Sequence, residues 1–154
     1  MRDLAAIERE IDGAGAPAAP REAAARLLGL AEEVLEAWIA ARRESPTQAR
    51  REGFRLLALH HQGAAGVPSF NACRETCREI AFHYNLLSVD GAEDAQSRLR
   101  MMGLLAKHLA LFVAGKMQVE GLGDFCCASR PLRAESATIV RMQPVQEEEQ
   151  RCPT

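Results

Sequence analysis

The residues most able to do chemistry in this 154-residue chain are cysteines. Cys73 and Cys77 lie in Asn71-Ala72-Cys73-Arg74-Glu75-Thr76-Cys77-Arg78-Glu79-Ile80-Ala81-Phe82-His83-Tyr84. On a helix their spacing puts both sulfurs on one face, one turn apart. That face continues through Ile80, Ala81 and Tyr84, so the thiols go with the apolar stripe and not with Arg74, Glu75, Arg78 and Glu79. Cys73 falls in the first turn. There the exposed N–H groups and the neighbouring arginines favour thiolate, the form that ligates metals and attacks electrophiles.

A second pair, Cys126-Cys127, follows Gly121-Leu122-Gly123-Asp124-Phe125. If the helix before it runs antiparallel to the helix carrying Cys73, its C-terminal end returns to the start of that helix, and all four sulfurs gather at one end of a bundle. Such a set fits a tetrahedral zinc or copper site, or an iron–sulfur cluster. C-x3-C lacks the C-x2-C spacing of zinc knuckles, and the side chains of adjacent cysteines diverge, so one of Cys126 and Cys127 is the better ligand. Against metal binding stands plain burial, because free cysteine is among the most buried residue types. A thiol–disulfide switch uses the same residues. Cys152, far along the chain, reads as a bystander.

The histidines add one candidate ligand. Glu75, Glu79 and His83 form a line of four-residue steps, and a carboxylate can orient a ligating imidazole. Glu79-x3-His83 has no second copy, which argues against a di-iron carboxylate bundle. His60-His61 closes a helix, where a cation suits the C-terminal dipole. His61 lies nearer the apolar face. His108, among Leu104, Leu105, Leu111 and Phe112, reads as a core histidine, and no haem pocket is specified. No P-loop, G-x-G-x-x-G, H-E-x-x-H or G-x-S-x-G occurs. Ser129-Arg130-x2-Arg133 reads as a solvated loop, and the chain leans away from enzymes.

The elements that must position these groups are helical. Asp3–Ile11 predicts a short helix, and residues 12–20 a flexible connector. Leu27, Leu30, Val34, Trp38 and Ala41 predict a helix over 21–43. Ser45-Pro46 carries a helix-start signal, and the third helix runs to Gln62 with Phe54, Leu57 and His61 inward. Ser69 or Asn71 caps a fourth helix to Leu87, and Asp90 or Gly91 begins a fifth through Val119. The expected fold is all-α: four main helices in a bundle, a short N-terminal helix, and an irregular C-terminal loop and tail. Residues 1–133 form the domain and 134–154 a disordered acidic tail.

Composition narrows the function classes. The apolar fraction is 47%, too high for a disordered protein. The formal charge is −2 and sits in residues 134–154, leaving a balanced body, which argues against a nucleic-acid binder. The N-terminus is interrupted by charges, and the longest strongly apolar run, 109–115, is short for a membrane span. A cytoplasmic setting, with free thiols, is therefore expected. The resulting expectation is a small helical protein binding a metal ion or iron–sulfur cluster through Cys73, Cys77, Cys126, Cys127 and His83, for sensing, storage, delivery or electron transfer. The alternatives are a redox switch on the same cysteines, or a metal-free adaptor. The apolar helix near 101–117 predicts a homo-oligomer or protein interface.

Overall fold

The computed structural model describes residues 2–14, 19–89, 91 and 93–122. Cys126, Cys127, Cys152, the Ser129–Arg133 segment and the 133/134 boundary lie outside these residues. The described residues form an all-α bundle: α1 (Leu4–Gly13), α2 (Pro20–Ala41), α3 (Arg55–Ala64), a 3-10 segment (Pro68–Cys73), α4 (Arg74–Leu87) and α5 (Ala95–Glu120).

The two long helices form the centre. Pro20 opens α2 where its missing N–H costs nothing, and Leu27, Leu30, Ala31, Val34, Leu35 and Trp38 recur at three- and four-residue steps as its buried face. α5 answers with Met102, Ala106, Leu109, Ala110, Val113 and Met117. Burying a side chain of this size stabilises by about 1.5–3 kcal/mol. Arg43, at φ 62°, ends α2 in the left-handed region. Gly121, at φ 64°, ends α5: its N–H bonds Gln118 O and the Leu122 N–H bonds Met117 O at 2.8 Å, while the Leu122 side chain packs on the core. Glycine fits there because a side chain strains that backbone.

α1 docks across α2 and α5 through Ile7 and Ile11 and a ring of ion pairs. Lys107 reaches Glu8 at 2.9 Å and Asp12 at 2.7 Å, Arg2 reaches Glu33 at 2.6 Å, and Arg26 reaches Glu10 at 2.9 Å. At the other end Lys116 donates to Ser69 at 2.6 Å, so α5 runs back to where α4 begins.

Three sequence expectations are corrected. The third helix does not begin at Ser45-Pro46. Residues 45–50 are not helical, and α3 starts at Arg55. Side chains of α3 take up the backbone groups a helix would use: Gln62 accepts from Thr47 N at 2.8 Å and donates to Ser45 O at 2.9 Å, and Arg55 donates to Thr47 O at 2.9 Å. The inward face of α3 is consequently Leu56, Leu59, His60 and Gly63, with His61 exposed. His108 is exposed too, beside exposed Met101, Leu104 and Leu111, and is not a core residue. The fifth helix begins at Ala95, later than Asp90 or Gly91. No helix among the described residues is long and apolar enough to cross a membrane.

Candidate functional site

Cys73 sits at a junction between two kinds of helix. Pro68 opens the 3-10 segment, which puts Phe70 and Cys73 on one inward face, since residues three apart eclipse in such a turn. Cys73 then serves as the N-cap of α4, and Cys77, Ile80 and Ala81 form the buried stripe of that helix. The shared face expected for Cys73, Cys77, Ile80, Ala81 and Tyr84 is therefore present, with Tyr84 partly buried. Both thiols are free, and each is 0% exposed.

The Cys73 sulfur and the His60 ring meet at one carbonyl. As a thiol Cys73 donates to Phe70 O at 3.2 Å, and His60 Nε2 lies 3.3 Å from the same oxygen. The neighbouring Cys77 thiol and then His60, against the cost of burial, draw the Cys73 thiol down to about 6 from 9.0. The same contact, followed by burial, pushes Cys77 well above the ordinary thiol range. The two thiols therefore titrate as a coupled pair, the first proton leaving well before the second.

His60 is the largely buried histidine, 6% exposed, and its Nε2 lies 3.3 Å from Phe70 O. Its ring lies against Phe70, centroids 5.7 Å apart. Phe70 stacks on Trp38 at 4.8 Å and meets Phe112 edge-on at 5.5 Å. Trp38 Nε1 donates to Gly63 O at 2.9 Å, so the indole is satisfied inside the core. Gly63 is required by close approach. A Cβ there would stand 2.9 Å from Trp38 Cδ1 and 3.2 Å from Phe70 Cε1. This aromatic floor holds the 3-10 segment, and with it Cys73, against α2 and α3.

His83 does not join the site. It is half-buried, edge-on to Phe82 at 5.6 Å, with Arg98 and Glu79 as its charged neighbours. Its Nδ1 is buried without a hydrogen-bond partner among the described residues, and burial, then Arg98, lowers its pKa against the pull of Glu79. Glu75 and Glu79 are exposed on the outer face of α4. Among the described residues no group of three or more His, Cys, Asp or Glu side chains is placed to hold a metal ion. Cys126 and Cys127 lie outside them.

Sequence reasoning could not place His60 beside a thiol, and it did not single out Phe70 or Trp38 as site residues. Phe70 carried a usable signal: its carbonyl is three residues before Cys73, where a 3-10 turn brings a donor to it. Asn71 and Arg74, which flank Cys73, line an open cavity of about 310 Å³ together with His60. Comparison with protein families, curated proteins and solved structures gives no match.

Proposed function

We propose that the chain is a thiol-based redox switch centred on Cys73 and Cys77. The observation that carries this reading is two free thiols enclosed on one face, one helical turn apart, with the Cys73 sulfur and the His60 ring converging on the Phe70 carbonyl; there one thiol is driven toward thiolate and its partner held protonated. Cys73 is the attacking sulfur and Cys77 the resolving one. The chemistry takes a hydroperoxide as oxidant. Cys73 thiolate attacks the terminal oxygen, the O–O bond breaks, and the alkoxide leaves and takes a proton from water. The Cys77 sulfur then attacks the Cys73 sulfenic acid, gives up its proton to the departing hydroxyl, and a disulfide and water result. Two electrons pass from the sulfurs to the peroxide.

Both sulfurs are covered, so the reaction proceeds through local opening. The 3-10 segment is the element that moves, because a six-residue 3-10 turn has poorer hydrogen-bond geometry than the α-helix it feeds. A disulfide between Cys73 and Cys77 would take the thiol proton from the Phe70 carbonyl and pull the start of α4 inward. The readout is thus a repacking of Phe70 and the segment 68–73 against α3.

The test is peptide-resolved mass spectrometry after stoichiometric hydrogen peroxide, in a Cys126→Ser, Cys127→Ser, Cys152→Ser background. The expected product is a Cys73–Cys77 disulfide, absent from Cys73→Ser. If both thiols stay reduced while the urea-unfolded chain is oxidised, they are core residues and the switch is wrong. The metal reading needs a further ligand from Cys126 or Cys127. Stoichiometric zinc, copper or iron in anaerobically purified protein, lost in Cys73→Ser, would replace the switch with a soft-metal centre. Self-association through exposed Met101, Leu104 and Leu111 is proposed separately, and light scattering showing only monomer at high concentration would end it.

A further inference from the structure

The cavity beside the thiol pair has a charge pattern that the redox chemistry does not use. Arg51, Arg74 and Arg78 line it, with His60 and His61 from α3 and the Asn71 amide. Its one carboxylate, Glu52, bonds Arg78 at 3.2 Å. Arg51 and Arg74 have no carboxylate partner among the described residues. Arg55, partly buried, by contrast lies between Glu32 and Glu36. Two guanidinium groups without a carboxylate partner thus border one concavity that a largely buried imidazole also lines, and they concentrate positive potential there.

We propose that this cavity binds a small molecule through a compact oxyanion group, a phosphate or a carboxylate. The guanidinium groups of Arg51 and Arg74 supply planar pairs of N–H donors that match either group, and the Asn71 amide and the histidine rings complete the donor set. The volume, about 310 Å³, is at the lower end of the range for small-ligand sites, about 300–1,000 Å³, and suits a ligand of few atoms. Leu57 gives the wall one apolar patch for a short carbon frame. The three arginines come from three places: Arg51 from the turn before α3, Arg74 from the first turn of α4 and Arg78 one turn on. A bound oxyanion therefore ties the α3 side of the cavity to the start of α4, next to Asn71 and Arg74. The site stands whether or not the thiols are redox-active.

Calorimetric titration of the full chain at matched low ionic strength tests this with three probes: inorganic phosphate, glycerol 2-phosphate and succinate. Saturable one-to-one binding of at least one probe is expected. A preference for the two phosphates identifies a phosphate ligand, and a preference for succinate a carboxylate. Arg51→Ala and Arg74→Ala should each weaken the preferred probe about tenfold or more, and the double variant should abolish binding. Arg74→Lys, which keeps the charge and loses the fork, should fall between. Lys107→Ala, at the other end of the bundle, should bind as the parent does. Both arginines are exposed, so circular dichroism of the variants should match the parent. No saturable heat with any probe, or equal binding by the double variant, would overturn the proposal.

Discussion

The two ends of this bundle treat charge in opposite ways. Around α1, basic side chains meet acidic ones: Lys107 has two carboxylates, Glu10 has two guanidinium groups, and Arg2 bridges two helices. Around the start of α4, cations outnumber anions, a thiol is driven toward thiolate, and polar groups converge on a cavity. The first arrangement positions a short helix that buries little of itself. The second leaves charge uncompensated where a ligand or electrophile can use it. Perturbed titration with a specific partner, next to a concavity, is the pattern of a functional site. Pairing without a cavity is the pattern of a staple.

The sharpest break of this contrast is at the floor of the thiol end. Phe70→Ala removes a fully buried ring that Trp38, His60 and Phe112 all touch, and should cost about 3–5 kcal/mol in urea unfolding, together with the low thiol pKa. Gly63→Ala pushes a methyl against Trp38 and Phe70 and should cost about 1–3 kcal/mol by the same measurement.

Cys77→Ala tests the pair more narrowly. Cys77 is the largest cause of the depressed Cys73 titration, and alanine removes its donor where serine would keep one, so the pH midpoint of Cys73 alkylation, read by peptide-resolved mass spectrometry, should rise from about 6 toward the ordinary thiol range. His60→Ala should move it in the same direction by less. Folding stability should follow. Between about 6 and 9.0, Cys73 holds fewer protons folded than unfolded, so its contribution grows with pH across that window and is lost as pH falls through about 6. Cys77 acts oppositely at alkaline pH, because its raised titration keeps a proton that the unfolded chain releases. An unchanged alkylation midpoint in Cys77→Ala would dissolve the pair into two independent core thiols.

The smallest effects belong to the α1 end. Glu10→Gln and Lys107→Met remove exposed pairs and should lower the unfolding midpoint slightly, less so in high salt, without changing thiol reactivity. A large effect there would mean that its charges do more than position α1.

The thiol face was legible because it is local. Cys73 to Cys77 is one turn, and the apolar positions Ile80 and Ala81 continue it whatever the rest of the chain does. The return of α5 to the start of α4 was legible for a similar reason, since a short connection between adjacent helices leaves few alternatives. The phase of α3 was not. Ser45-Pro46 satisfies the rule for a helix start, yet Gln62 and Arg55 hold that stretch in another form through contacts 8 to 17 residues away in sequence. Starting α3 too early put His61 inside, whereas His60 is the one that Phe70 and Cys73 enclose. The cavity was illegible for the same cause: Arg51 meets Arg74 only once α3 and α4 are packed.

The stacking of Trp38 on Phe70 makes the molecule its own instrument. It is the chain's only indole, wholly enclosed, and in contact with the residue whose carbonyl accepts the hydrogen bond of the Cys73 thiol. Emission excited in the indole band comes from one spot beside the sulfurs. Its intensity and wavelength therefore follow the thiol end, without a dye or a label, while the far end of the bundle stays dark.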